Sequence, residues 1–112
     1  MALTSADKIN GLHKATGAND AAKWLDAYSK ANTLIYAVLY ETSSGNNWGM
    51  TAVIPKAVIG SSAKRFMGGG YQSGTYDNKW FAFVYVSTTS GGGYIYYNGS
   101  ELTPHSLEFY YD

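Results

Sequence analysis

The clearest strand signal in the chain is the stretch Trp80-Phe81-Ala82-Phe83-Val84-Tyr85-Val86-Ser87-Thr88. It is filled by aromatic and β-branched residues, whose side chains alternate between the two faces of a strand. One face carries Trp80, Ala82, Val84 and Val86, and the other carries Phe81, Phe83 and Tyr85. Because both faces are apolar, we expect a central strand that is covered on both sides, with its four aromatic side chains in the core.

Further strand signals flank this stretch. Leu34–Tyr40 is apolar on both alternating sets, and Trp48–Ile54 follows a polar turn as its hairpin partner. Tyr94–Tyr97 reads as a strand, and the Asn98-Gly99 dipeptide after it is a strong signal for a type I′ hairpin turn. Leu107–Tyr111 closes the chain as a last strand. These segments predict an antiparallel sheet of about five strands built from hairpins.

Two glycine triplets interrupt this pattern. Gly68–Gly70 predicts the start of a loop, and Gly91–Gly93 predicts a turn. Residues 55–67 are ambiguous, because Pro55 suits the first position of a short helix whereas Gly60 argues against a long one.

The first 32 residues predict two helices. Ser5 is a suitable N-cap for the first helix, which ends near Gly17. Asn19 caps the second helix, and the apolar stripe of that helix consists of Ala21, Trp24, Leu25 and Tyr28. The whole chain, residues 1–112, is therefore predicted to be a single α+β domain in which two N-terminal helices precede a mainly antiparallel sheet.

The amino-acid composition excludes several kinds of site and partner. The 112 residues include no cysteine, which excludes disulfides and thiolate metal sites, and eight basic and eight acidic residues cancel to zero. The sequence shows neither a signal peptide nor an apolar run of roughly 20 residues that would span a membrane. We expect no membrane partner, and we expect synthesis in a cytoplasm, with use there or in an assembled particle such as a virion.

The run from Lys79 to Val86 is similar to the central motif of RNA-recognition domains. The matching positions are Lys79, Phe81, Ala82, Phe83 and Val84. The resemblance implies that Phe81 and Phe83 would stack on bases. Trp80 and Val86 depart from the motif, and only one basic residue follows Arg65 to hold phosphates. These departures argue against a nucleic-acid partner and favour a buried strand.

Catalysis has few candidates in this sequence. His13 is expected on the surface of the first helix. His105 and Glu108 would share one face of a helix, but their odd spacing sends them to opposite faces of a strand, which the surrounding residues favour. We expect no catalytic residue, no metal site and no cofactor, and Lys64-Arg65 before the first glycine triplet matches no phosphate-binding loop.

Aromatic residues dominate the C-terminal part of the chain. Thirteen of the 18 lie between Phe66 and Tyr111, and several tyrosines fall on alternate faces of their strands. Unless the helices cover the second face of the sheet, that face must meet solvent or a partner, and tyrosine is common in interfaces. The candidate partner-binding residues are the exposed members of Tyr71, Tyr76, Tyr94, Tyr96, Tyr97, Tyr110 and Tyr111.

In general character the chain resembles small bacteriophage virion accessory proteins, such as capsid decoration or tail components. It shares with them a short length, a lack of cysteine and a wealth of glycine and tyrosine. The resemblance implies a non-enzymatic structural protein that binds other subunits, either copies of itself or virion proteins. Two alternatives stay open: a module that binds carbohydrate or another ligand through the same aromatic platform, and a small inhibitor of a host enzyme.

Overall fold

A computed structural model describes residues 11–43, 48–72 and 79–112, with the backbone alone at positions 71 and 72. These residues form one α-helix, α1 (Asp20–Lys30), and a 3₁₀ turn at Lys56–Val58. The strands are β1 (His13–Lys14), β2 (Leu34–Glu41), β3 (Trp48–Pro55), β4 (Lys64–Phe66), β5 (Gly69–Gln72), β6 (Trp80–Val86), β7 (Gly91–Tyr97), β8 (Ser100–Glu101) and β9 (His105–Tyr111).

The strands make two antiparallel sheets. The first sheet has the order β1-β9-β2-β3-β5, and the second has the order β4-β6-β7-β8. Within the described residues, the chain is therefore mostly β, with nine strands and one helix. The predicted fold, two N-terminal helices followed by a single sheet of about five strands, is wrong.

The error at the N-terminal end has a physical cause. Ser5 lies outside the described residues, but His13–Lys14 forms β1 and pairs with the end of β9. Gly11 adopts a left-handed backbone with a φ of 69°, which a helix does not accommodate. A helix over this segment would have only Ile9 and Leu12 as an apolar stripe, so pairing with β9 outweighs a weak local helix preference.

The second predicted helix is confirmed. The Asn19 side chain accepts a hydrogen bond from the backbone N–H of Ala22 at 2.8 Å, as an N-cap does. Trp24 and Ala27 are fully buried, and Leu25 and Tyr28 pack against the core. The apolar stripe therefore attaches α1 to the sheets.

One core lies between the two sheets and under α1. The first sheet contributes alternate residues of its central strands to this core, and the second sheet contributes one face of β6 and β7. The buried members from the sheets are Ile35, Ala37, Leu39, Met50, Ala52, Ile54, Val84, Val86, Ile95, Leu107 and Phe109. The predicted β2–β3 hairpin is confirmed, and β2 lies centrally, between β3 and β9.

The two faces of β6 have different surroundings, which corrects the prediction for its aromatic residues. Trp80, with Ala82, Val84 and Val86, faces the core as expected. Phe81 and Tyr85 instead lie on the outer face and are 48% and 41% exposed. Phe83 is buried on that outer face among neighbouring rings and does not enter the core between the sheets. α1 packs against β7 and β9 and leaves this outer face uncovered by the helix.

The first glycine triplet lies partly in a strand and the second lies wholly in one, which corrects the predicted loop and turn. Gly69 and Gly70 lie in β5, and Gly91–Gly93 begins β7. A Cβ at Gly91 would lie 2.6 Å from Cγ of Trp24, and one at Gly93 would lie 2.9 Å from Cδ1 of Leu39. These glycines therefore make room for large core side chains against the strand.

The remaining turns follow local chemistry. Asn98 and Gly99 have φ values of 51° and 84° and join β7 to β8, as a type I′ turn requires. Pro55 precedes a single 3₁₀ turn, and β4 follows it.

The outer strands of both sheets are short. β1 and β8 have two residues each, β4 has three and β5 has four. The longer strands lie inside the sheets, and each short outer strand pairs with only part of its neighbour, as β1 does with Tyr110 and Tyr111 of β9 and β8 does with Tyr96 and Tyr97 of β7.

Candidate binding surface on the second sheet

The outer side of the second sheet carries a continuous group of aromatic rings, which we call the aromatic face. It consists of Phe81, Phe83 and Tyr85 on β6 and of Tyr94 and Tyr96 on β7. Phe81 pairs directly with Tyr96 across the two strands, and Phe83 pairs with Tyr94. Directly opposed residues share a face of the sheet, so the antiparallel register places these rings side by side.

Four of the five rings, those of Phe81, Phe83, Tyr94 and Tyr96, contact each other. Phe83 lies in the middle, with its ring centroid 5.3 Å from that of Tyr94 in a stacked arrangement and 5.5 Å from that of Phe81. Tyr96 lies 6.3 Å from both Phe81 and Phe83. These spacings are those of interacting aromatic pairs, so the face is held in one arrangement before any partner arrives.

Glycine shapes one end of the aromatic face. Gly92 lies opposite Tyr85 on β7, and a Cβ built there would approach only Tyr94, at 3.9 Å. The missing side chain leaves the Tyr85 ring open on that side. Tyr85 and Phe81 are thus the two exposed rings of the face, at positions 85 and 81 of the same strand.

Two charged residues, Arg65 and Glu101, pair with tyrosines on opposite sides of the aromatic face. Arg65 of β4 pairs with Tyr85, and its guanidinium carbon lies 5.3 Å from the ring centroid of Phe83 and 5.4 Å from that of Tyr85. Glu101 of β8 pairs with Tyr96 and is exposed. The cation–π contact holds Arg65 over the rings while its charge stays at the surface.

The structure separates the tyrosines that the sequence singled out. Tyr94 and Tyr96 belong to the aromatic face, where both are half-buried. Tyr97 points to the inner side and packs against Trp80, with ring centroids 4.6 Å apart. Tyr76 lies outside the described residues, and Tyr71 is described only by its backbone in β5.

The two tyrosines of β9 lie elsewhere in the first sheet. Tyr110 is fully buried, and its hydroxyl donates a hydrogen bond to Glu108 at 3.1 Å. Tyr111 is half-buried beside His13, with ring centroids 5.3 Å apart. Neither residue belongs to the aromatic face, and the burial of Tyr110 removes it from the set of exposed candidates.

Sequence reasoning missed three members of the aromatic face and its cation. Phe81, Phe83 and Tyr85 were assigned to the core because β6 is apolar on both sides. The similarity to the RNA-recognition motif was the one signal that set Phe81 and Phe83 apart. Arg65 was noticed only as a neighbour of the first glycine triplet, since the sequence does not show that β4 pairs with β6.

The titratable residues of the first sheet are used in structural contacts. His105 Nε2 lies 3.0 Å from Asp20 Oδ2, which links the start of β9 to the first turn of α1. Glu108 points to the other side of β9 and meets Lys14 at 3.2 Å. The prediction that His105 and Glu108 lie on opposite faces of a strand is confirmed. Among the residues described, no three acidic or histidine side chains form a group that could hold a metal ion.

Two aspartates have lowered pKa values because of their hydrogen bonds. The ammonium of Lys30 and the backbone N–H of Thr16 lower the pKa of Asp26. The hydroxyl and backbone N–H of Thr33 hold the pKa of Asp112 well below its usual range, with further backbone donors at Leu34 and Asn32. Both carboxylates tie connecting segments to α1 or β2, so their role is in the fold.

Comparison with known proteins identifies no family. No protein-family model matches the chain, and neither a curated protein nor a solved structure matches it significantly. In the part of the chain that the structure describes, no helix has the length and apolar character needed to cross a membrane.

Proposed function

We propose that this chain is a non-enzymatic structural protein that acts in an assembly and contacts its partner through the aromatic face. The observation that carries the proposal is the outward direction of Phe81, Phe83, Tyr85, Tyr94 and Tyr96 on one sheet. Phe81 and Tyr85 keep nearly half of their surface exposed. Exposed aromatic rings on one sheet face are common at interaction sites.

The physical character of the face supports contact more than chemistry. Tyrosine brings a large apolar ring, a hydroxyl that can form a hydrogen bond and few rotatable bonds, so little entropy is lost when a partner binds. The ring contacts described above fix the geometry in advance, which lowers the cost of binding further. The general resemblance to bacteriophage virion accessory proteins supports a capsid or tail as the setting.

The test is co-sedimentation of the purified chain with phage capsids and tails. We expect Phe81→Ala and Tyr85→Ala each to weaken co-sedimentation at least tenfold. Val53→Ala is the matched control, because Val53 is a similarly exposed apolar residue, 50% accessible, on the first sheet. Co-sedimentation that is unchanged by Phe81→Ala, or no binding by the wild-type chain, would contradict the proposal.

Carbohydrate binding is the second candidate. The observation that favours it is the presence of two exposed rings, Phe81 and Tyr85, on one flat sheet, since sugar rings stack on such surfaces. A glycan array separates the two candidates. Retention of a defined glycan by the wild-type chain and Val53→Ala, with loss on Tyr85→Ala, would favour carbohydrate over assembly.

A further inference from the structure

The charges on the aromatic face are placed so that the face complements itself. Arg65 and Glu101 both point outward, because each pairs with an outward tyrosine, Tyr85 and Tyr96 respectively. Arg65 lies on the first strand of the second sheet and Glu101 on the last, with β6 and β7 between them. The register thus places the backbone of a basic residue at one corner of the face and that of an acidic residue at the opposite corner.

The register gives the distance between these corners. Three strand intervals of about 4.8 Å separate β4 from β8, which is about 14 Å across the sheet. Along the strands, Arg65 lies beside the position of Gly92 in the register, and Glu101 lies beside Tyr96. Gly92 and Tyr96 are four residues apart on β7. At about 3.4 Å per residue this is again about 14 Å, so the Cα atoms of Arg65 and Glu101 lie near the ends of a diagonal of the face.

From this arrangement we infer that the aromatic face binds the same face of a second copy of the chain about a two-fold axis. This inference rests on the proposed function and names the partner. The two-fold axis would lie between the two faces, parallel to them and perpendicular to the line from Arg65 to Glu101. Rotation about this axis places each Arg65 opposite Glu101 of the other copy. The same operation crosses the strands of the two sheets at close to 90°, which is one of the two preferred angles for packed sheets.

Other properties of the molecule fit a second copy. The chain has a net charge of zero, so no long-range repulsion keeps copies apart. A two-fold contact is the commonest way in which identical subunits associate. The face is about 14 Å on each side, so its contact area is smaller than the roughly 800 Å² per partner of a standard interface. We therefore expect a reversible dimer that forms at micromolar concentrations or above.

The test is sedimentation velocity of the full chain from about 10 μM to 1 mM at low salt, where ion pairs are least screened. We expect the wild type to dimerise, and Arg65→Glu and Glu101→Arg each to raise the dissociation constant at least tenfold. An equimolar mixture of these two variants should dimerise again, because each copy then presents opposite charge at both contacts. The double variant Arg65→Glu/Glu101→Arg should also dimerise.

Lys64→Glu is the matched control, since Lys64 neighbours Arg65 but pairs with the inward Val86. It should dimerise as the wild type does. A wild type that stays monomeric at every concentration would overturn the inference, as would a mixture that stays monomeric while the wild type dimerises. If the monomer still binds capsids or tails and loses that binding on Phe81→Ala, the second copy is excluded and the proposed function stands. If Phe81→Ala changes neither dimerisation nor binding to capsids or tails, both the second copy and the proposed function are excluded.

Discussion

The indole of Trp24 joins α1 to the second sheet through a buried hydrogen bond. Its Nε1 donates to the carbonyl oxygen of Ser87 at 2.7 Å, and the side chain is fully buried. Trp24→Phe would leave that carbonyl without its donor, so we expect the free energy of unfolding to fall by about 1–3 kcal/mol. Urea denaturation followed by circular dichroism measures it. Tyr28→Phe, on the same helix, is the control and should change stability by less than about 0.5 kcal/mol.

Asp112 makes stability depend on pH in a defined direction. Its folded pKa is lowered by the hydroxyl and backbone N–H of Thr33, so the charged form is favoured in the folded chain. Its contribution is therefore complete above the unfolded pKa of about 4 and is lost as the pH falls from there through the lower folded value.

Asp112→Asn should accordingly flatten the loss of stability between about pH 5 and pH 2, measured by thermal unfolding at a series of pH values. Thr33→Val removes only the hydroxyl donor and should give an intermediate slope. If Asp112→Asn loses as much thermal stability as the wild type when the pH falls, this role for the carboxylate is contradicted.

At the scale of elements, the glycines of β7 differ by the face they occupy. Gly91 faces Cβ and Cγ of Trp24, which cannot move far because they are close to the helix backbone. Gly92 faces outward, where a methyl group would make only an ordinary contact. We expect Gly91→Ala to destabilise the chain by about 1–3 kcal/mol and Gly92→Ala to have little effect. Chemical denaturation compares them, and equal losses would show that the strand tolerates no side chain at either position.

The elements also show what the sequence could and could not predict. α1 and the β7–β8 turn were predictable, because Asn19 and Asn98-Gly99 act within a few residues. The short strands were not, since β1 and β5 depend on partners that are distant in sequence. Gly91–Gly93 was predicted to be a turn because glycine has no side chain. In the structure, the absence of side chains there makes room for Trp24 and Leu39. Sequence patterns therefore predicted the elements that depend on neighbouring residues, and not those that depend on distant partners.

The same reasoning explains the error about the candidate site. A strand that is apolar on both faces predicts burial on both sides, but the number of layers above it is a property of the whole fold. In β6 one face meets the first sheet, whereas Phe81 and Tyr85 meet no further layer in the described part of the chain. The alternation was therefore predicted correctly, and the assignment of the second face was not.

At the scale of the whole molecule, the two faces of the second sheet should have separable roles. Ile95 is buried between the sheets, opposite Ala82, whereas Tyr85 lies on the aromatic face. We expect Ile95→Ala to lower the free energy of unfolding by about 2–5 kcal/mol because it leaves a cavity in the shared core. Tyr85→Ala should cost less than about 1 kcal/mol, since 41% of the residue is already exposed and it lies outside the shared core. Denaturant titration of both variants measures the contrast, and similar losses would argue against two distinct faces.

The outer strands of both sheets are short, which affects whether further chains can add to the edges of the sheets. An exposed strand is a template on which further chains can add without limit, and this leads to fibrils. In the described part of the chain, the outermost strands offer only two to four residues each. The outermost strands themselves therefore give little template for open-ended addition, although they cover only part of the edges of β7 and β9. The proposed contact between aromatic faces differs in this respect, because its two-fold axis would close the complex after one partner.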